Sequence, residues 1–384
     1  MNHRERALAI LNYQPYDRLP VVHFGYWDLT LEKWATEGHV TSRQARDWKD
    51  GNAVDVEVST RLGFDFNWFN CFRPNTAFFP TFRKRVVRVL DDGSRHVLNR
   101  DAVIVLEKDG AYSIPPEVEH MLKGRKEWEA AFRRRLQFDE RRIARAPVYL
   151  TGSDIRYEEG GKEILRAGNW DAPYGLFCGS LYGIIRNWVG LVNAAYMQAD
   201  EPALFGEIID TVGELCFQNA QAVLDAGIHF DFGHFWEDIC YNHGPLVNPR
   251  FFRERIGPHY RRITDLLHRH GVSIVSLDCD GQIDALVPVW LDNGVNTMFP
   301  IEVGTWDASI QPWRAQYGRD LRGVGGVRKS IFAQDYAAVD AEVERLMPLV
   351  DLGGYIPCPD HRLSVDAKWE NVQYYCEKTR RTFG

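Results

Sequence analysis

Apolar positions in the C-terminal third of the chain recur in short blocks, each followed by polar chemistry. Ile228 to Phe235 runs into Glu237 and Asp238, and Val272 to Leu277 into Asp278-Cys279-Asp280-Gly281. Val295 to Ile301 leads to Glu302, and Gly354 to Pro357 leads to Cys358-Pro359-Asp360-His361. Blocks of this length without strict alternation read as strands buried on both faces. Between the blocks the apolar period lengthens to that of helices. One helix is predicted to start at Asp200-Glu201-Pro202 and to close at Gly227. A second starts at Asn248-Pro249, keeps Phe252, Ile256, Ile263 and Leu267 on one face, and stops at Gly271. Ala341 to Leu352 forms a third, with Asp340 as its expected cap. Such βα repetition gathers strand ends on one face of a parallel barrel or sheet, where an active site is expected.

The N-terminal part follows a different pattern. Arg4 to Leu11 carries helical spacing, a turn from Pro15 to Pro20 follows, and Val21 to Phe24 reads as a first strand ending in Gly25-Tyr26-Trp27-Asp28. Between residues 82 and 113 apolar and polar residues alternate. Val87 to Leu90, a turn at Asp91-Asp92-Gly93, then Val97 and Val103 to Leu106 predict a β-hairpin or small meander inserted near the rim. Lys123 to Arg145 is densely charged with helical spacing, which predicts a solvated helix. The expectation is one α/β domain over residues 1–384, with an N-terminal elaboration and the 82–113 insertion.

Composition narrows the class. A chain of 384 residues accommodates a single large barrel, and 45% hydrophobic content supplies its core. The aromatic share of 13%, with 12 Trp, suits a pocket for a flat substrate as well as packing. A formal net charge of −7 gives no general attraction to nucleic acid or to an anionic membrane surface, so a small molecule or another protein is the expected partner. The 7 cysteines form no CxxC pair, which argues against a disulfide framework or a zinc knuckle and for a reducing cytoplasm. No apolar leader follows Met1 and no apolar run has membrane-spanning length, so a soluble cytoplasmic protein is expected.

The strand-end residues offer two kinds of chemistry. Asp278, Asp280, Glu302 and His361 supply oxygen ligands and an imidazole from successive strand ends, and Cys279 or Cys358 could add a thiolate; zinc accepts such sets. The same acids also serve as helix caps, turn residues or ion-pair partners. The second option is general acid and base work, for which Glu237-Asp238 and Asp278/Asp280 are the natural pairs, because crowded carboxylates push their pKa values apart. His229, His234 and His243 flank one strand end and read as packed or surface residues. Cys279 lies between two carboxylates that raise its pKa, which disfavours a nucleophilic role. Gly323-Val324-Gly325-Gly326 before Arg328-Lys329 could meet an anion through backbone N–H groups but lacks the order of a nucleotide loop.

Several segments together resemble the uroporphyrinogen decarboxylase superfamily. They are Arg4 to Asn12 with Asp17 to Pro20, Gly244 to Phe252, Asp280-Gly281 after a strand, Gly325-Gly326-Val327, and Gly353-Gly354-Tyr355 on to Asn371. The resemblance implies a (β/α)8 TIM barrel. The superfamily contains heme-pathway decarboxylases and corrinoid-dependent methyltransferases, so fold alone does not choose between them. The decarboxylases carry an Arg-rich N-terminal segment for a many-carboxylate tetrapyrrole; here Val22 to Leu29 is aromatic and without arginine.

The methyltransferase branch is the closer resemblance. Its thiol-methylating members bind zinc through a His-x-Cys-Gly, a downstream acid and a later Cys. The positions that match are Asp278, Asp280 before Gly281, Glu302, then His361, with Cys358 in the same loop as an alternative ligand. This oxygen-rich set is unsuited to a thiolate acceptor. The resemblance therefore implies the branch that cleaves methyl ethers, methoxylated aromatics among them, and passes the methyl group to cobalt(I). The corrinoid would be carried by a separate protein, because the barrel takes up the chain; a homodimer is admitted. Glu237, Asp238 and Asp278 are the expected catalytic residues, zinc the expected metal, and Phe24, Tyr26, Trp27 and Tyr182 the expected walls of the donor pocket. A metal-free decarboxylase or other lyase, and a silent ligand-binding barrel, are the alternatives.

Overall fold

The computed structural model describes residues 1–108, 114–150 and 153–384. Its centre is a (β/α)8 barrel of parallel strands. We label the barrel strands β1 (Val22–His23), β2 (Phe66–Asn67, resuming at Cys71–Phe72), β3 (Gly175–Gly179), β4 (Phe232–Trp236), β5 (Ile274–Asp278), β6 (Thr297–Phe299), β7 (Arg322–Val327) and β8 (Tyr355–Pro359). Strands β2 to β8 pair in order, β1 pairs with β2, and a parallel bridge from Tyr26 to Leu363 closes the ring. The apolar blocks become strands because Val, Ile, Leu and Phe there are buried on both faces, between the barrel interior and the helices.

Register aligns the strand ends. Trp236 pairs with Asp278, Asp278 with Phe299, and Gly326 with Cys358. The loops after β4, β5, β6 and β8 therefore open at one height. Outside the strands, Pro202–Leu224 is the longest helix and buries Leu204, Ile208, Val212, Leu215 and Val223 against the barrel. Each such side chain contributes roughly 1.5–3 kcal/mol when fully buried. Asn248 caps the helical turn at Pro249, as predicted, and Gly271 takes a positive φ of 80° after the following helix.

Three expectations are corrected. The inserted sheet has four antiparallel strands, Arg85–Val89, Arg95–Leu98, Val103–Glu107 and Glu117–His120, so it extends past residue 113. Residues 109–113, the end of the expected hairpin, lie outside the described residues. The segment 123–145 is not a solvated helix: it breaks into Arg125–Glu127, a π turn at Trp128–Phe132, a 3-10 turn at Arg133–Leu136 and Arg141–Ala144. Trp128, Phe132, Leu136 and Ile143 are buried. Even Arg142 is inside, where its guanidinium donates to the carbonyls of Gln137, Asn75 and Ala77. Four apolar anchors outweigh the charge density, because the charged side chains between them can point outward. Finally, Asp335, not Asp340, caps Tyr336–Val350 by accepting from Ala338 N; Asp340 instead binds Tyr374 and Lys378.

Candidate active site

The mouth of the barrel gathers four acids and one imidazole. One carboxylate oxygen each of Asp238, Asp278 and Asp280 lies within 4.8 Å of the others. Asp278 is the last residue of β5, only 7% exposed, and its carboxyl has no hydrogen-bond partner among the described residues. Asp238 follows β4 with φ 48°, a left-handed conformation rare for a non-glycine residue, and accepts from Asp280 N at 3.2 Å. Gly281, at φ 84°, lets this loop pass against the backbone of Cys240, which a Cβ would meet at 2.6 Å. His361 completes the group. Its Nε2 lies 3.0 Å from Asp280 Oδ2, and its buried Nδ1 has no hydrogen bond and stands 3.8 Å from Glu302 Oε1. Glu302 accepts from Gly281 N at 2.6 Å and from the Thr305 hydroxyl.

The electrostatics follow from crowding and burial. Burial, then repulsion from Asp238 and Asp280, holds the Asp278 carboxyl well above its usual range. Burial and Asp280 raise Asp238 to about 7. Burial disfavours a charged His361, but the hydrogen bond and charge of Asp280 outweigh it and the net direction is up. Crowding and burial therefore favour the neutral forms of Asp278 and Asp238, while the contact with Asp280 favours the charged form of His361.

An aromatic wall lines the barrel beneath and beside the acids. Phe24 meets Phe299 edge-on at 4.8 Å and stands 6.4 Å from the His361 ring. Phe69 lies 6.1 Å from Phe24 and 5.3 Å from His234. His234 is fully buried with neither ring nitrogen hydrogen-bonded, and burial and the Arg73 charge push it well below its usual value. Two guanidinium groups flank Phe69: Arg73 at 4.1 Å and Arg362 at 5.4 Å from its centroid. Arg362 is paired with Asp50 at 2.7 Å, whereas Arg73 makes no ion pair among the described residues.

Some expected site residues lie elsewhere. Glu237 is fully buried and turned away from the mouth. It accepts from Leu181 N at 2.8 Å, Tyr182 N at 3.0 Å, Gly183 N at 2.5 Å, Ser180 Oγ at 3.2 Å and the Tyr260 hydroxyl. These bonds fasten the loop after β3 to the end of β4. Cys358 is fully buried, and burial, then Asp360, holds its thiol well above its usual range. It is not among the clustered ligands. Tyr26 packs edge-on against Trp34 and Trp48, and Tyr182 against Phe205 and Phe252, so both belong to the core. Trp27 precedes helix Asp28–Thr36 and is 43% exposed. Of the four expected wall residues, Phe24 alone faces the acids. Sequence reasoning missed Arg73, Phe69 and Phe299 and set His234 aside. The alternation Phe232, His234, Trp236 along β4 was the available signal for an inward histidine.

The residues fit a divalent cation. Three carboxylate oxygens already converge, and the orphaned Nδ1 of His361 offers an imidazole nitrogen near Glu302. This donor set is oxygen-rich and suits zinc or a harder ion.

Known proteins bear on the chain in two ways. The family model described as uroporphyrinogen decarboxylase (URO-D) matches residues 117–382. Among solved structures, a methyltransferase from Methanosarcina mazei superposes over 100% of this chain and 99% of its own, with a TM-score of 0.61 at 15% identity. A B12-independent methionine synthase from Shewanella sp. W3-18-1 covers 95% of this chain and 99% of its own, with a TM-score of 0.44 at 11% identity. At such identity the first likeness shows the fold alone, and the second carries no argument. No curated protein matches the sequence. No described helix is long and apolar enough to cross a membrane. A match over most of the chain, on a barrel whose strand ends carry the acids, establishes that this chain belongs to the uroporphyrinogen decarboxylase family.

Proposed function

We propose that the chain is a methyltransferase that cleaves a methyl ether, an aryl methyl ether above all, and delivers the methyl group to the cobalt(I) of a partner corrinoid protein. The observation that carries this reading is the Asp278 carboxyl, buried beside Asp238 and Asp280 with no hydrogen-bond partner among the described residues, and level with Phe299 of the aromatic wall on the next strand. An ether oxygen leaves poorly unless it is protonated or bound to a Lewis acid. Asp278, held neutral by burial and by its like-charged neighbours, donates its proton to that oxygen as the methyl–oxygen bond breaks and the bonding pair stays on oxygen. The nucleophile attacks the methyl carbon from the opposite side. The hydroxyl product leaves with that proton, Asp278 takes a fresh one from solvent by way of Asp238, also raised, and Phe24, Phe69 and Phe299 hold the ring during the reaction.

In the alternative form of the site, with their carboxyls ionised, Asp238, Asp278 and Asp280 would hold a zinc ion together with His361, with Glu302 orienting His361, and the ion would take the place of the Asp278 proton. Bound there, the ion would supply Lewis acidity toward the ether oxygen. A metal-free lyase in the same barrel is the second reading, favoured by the neutral acid pair itself.

The test is twofold. Metal content is measured on the wild type, Asp280→Ala and His361→Ala, and methoxylated aromatics are then offered with cob(I)alamin while cobalt absorbance is followed. Stoichiometric zinc lost in both variants, with methylation of cobalt by the wild type, is expected. Loss of carbon dioxide from an aryl acid with no methylation of cobalt would establish the lyase instead.

A further inference from the structure

We propose that Arg73 is the anion anchor of the substrate pocket, so that the molecule taken by the barrel mouth is a flat aromatic ring carrying a carboxylate. The inference rests on the methyl-ether reading above and gives that donor its polar handle.

Arg73 follows β2 and is clamped between two rings, its guanidinium carbon 4.1 Å from the Phe69 centroid and 4.6 Å from that of Phe177. The clamp fixes the plane of the fork. Among the described residues its one hydrogen bond runs from Nη2 to the Phe69 carbonyl at 3.1 Å, which leaves most of its five donors without a partner there. Arg362, which flanks the same ring, is paired with Asp50, whereas Arg73, like Arg142 and Arg314, has no carboxylate partner among the described residues; Arg142 and Arg314 are instead met by several carbonyl or phenol acceptors each. A partly buried cation with no counter-ion carries an uncompensated desolvation cost, which an incoming anion relieves.

The neighbours say what kind of anion fits. Phe69, one jaw of the clamp, continues into Phe24 and Phe299, and this wall ends at His361 and the acids. Both jaws of the clamp also stand against the inward His234 ring, Phe69 at 5.3 Å and Phe177 at 6.4 Å, which places the guanidinium at the same chamber rather than on the outer wall. A ligand with its carboxylate on the guanidinium fork lays its ring along the Phe69 wall. Its far substituent is then directed toward Asp278. A planar bidentate fork suits a carboxylate better than a point charge would.

Calorimetric titration of the full chain with 4-methoxybenzoate and with its isosteric neutral amide, 4-methoxybenzamide, tests this. The wild type is expected to bind the acid about 10- to 100-fold tighter than the amide. Arg73→Gln should reduce the preference to within about threefold, and Arg73→Lys should keep part of it. Equal binding of acid and amide by the wild type, or no binding of the acid at millimolar concentration, overturns the proposal without any variant having to fold. A preference that survives in Arg73→Gln overturns the assignment to Arg73. Binding needs neither metal nor corrinoid, so tight Arg73-dependent binding without methylation of cobalt sinks the proposed function and leaves the anchor standing. Methylation of cobalt from neutral aryl ethers as fast as from acids does the reverse.

Discussion

Glu237 and Asp278 stand at the ends of adjacent strands, joined by a hydrogen bond of 2.9 Å from Glu237 N to the Asp278 carbonyl, yet their carboxyls meet opposite surroundings. Both are buried, and burial raises the pKa of both. Glu237 is compensated by three backbone N–H groups, Ser180 and Tyr260, whereas Asp278 faces two other acids and no donor. Fully satisfied buried polar groups specify a fold; an unsatisfied one is kept at a cost that folding does not explain. Burial therefore does not separate scaffold from machinery here. Satisfaction does.

The sharpest break of this comparison is Asp278→Asn. Methyl transfer to cob(I)alamin should fall about a hundred- to ten-thousandfold, the range for loss of a general acid. The thermal midpoint should hold or rise, because an amide there ends the crowding of like groups. A variant that melts well below the wild type would put Asp278 with Glu237 among the structural acids. Glu237→Ala should do the opposite. It strands several buried donors, each of which costs about 1–3 kcal/mol when unsatisfied, so an unfolding free energy lower by about 3 kcal/mol or more is expected in urea titration. Activity per folded molecule should stay within a few fold. A large loss of turnover at full stability would return Glu237 to the catalytic set.

A second buried network sharpens the contrast by pH. Asp55 is fully enclosed and accepts from Trp48 Nε1 at 2.8 Å, Gly51 N at 2.8 Å and Asn67 Nδ2 at 2.9 Å, and Ser59 joins it to His23. Burial, then Asp50, raises Asp55 to about 6 from 3.8. An acid raised on folding contributes stability that is full below the unfolded value and is lost as pH rises through the folded one. Between pH 4 and pH 7 Asp55 should therefore cost the native state about 2 kcal/mol. Urea unfolding at both values should show wild type losing more stability than Asp55→Asn across that interval. Comparing the two chains cancels carboxylates such as Asp17 and Asp139, whose depressed pKa values act in the other direction. Parallel pH profiles would mean that Asp55 is compensated as fully as its hydrogen bonds allow.

The strand ends were legible in the sequence because buried parallel strands are unbroken apolar runs, and Asp238, Asp278, Asp280, Glu302 and His361 follow such runs directly. Which carboxyl turns inward was not legible. Glu237 and Asp238 are neighbours in sequence, but the positive φ of Asp238 sends their side chains to different environments. The wall was hidden for a related reason. Phe69 and Arg73 come from the loop region around β2, far in sequence from the acids, and only barrel closure brings them to the mouth. The segment 123–145 was misread because charge density was allowed to outweigh Trp128, Phe132, Leu136 and Ile143, the few positions that fix its place.

The smallest expected effects come from residues two apart at the end of β1. Two apart along a strand, Phe24 and Tyr26 would share a face, yet Phe24 faces His361 while Tyr26 packs between Trp34 and Trp48 with its hydroxyl 3.0 Å from Ser59. The turn at Gly25, φ 99°, breaks the strand geometry that would have put both rings on one face. Tyr26→Phe should lose about 1 kcal/mol of stability, the net worth of one buried hydrogen bond, and leave the apparent KM for the donor unchanged. Phe24→Leu should cost a similar amount in stability from the poorer packing against Phe299 and raise that KM several fold. If the two variants shift KM alike, the pocket extends behind β1 and Tyr26 lines it. If only Phe24→Leu does, the wall ends at the turn, and the acids are served by one aromatic face.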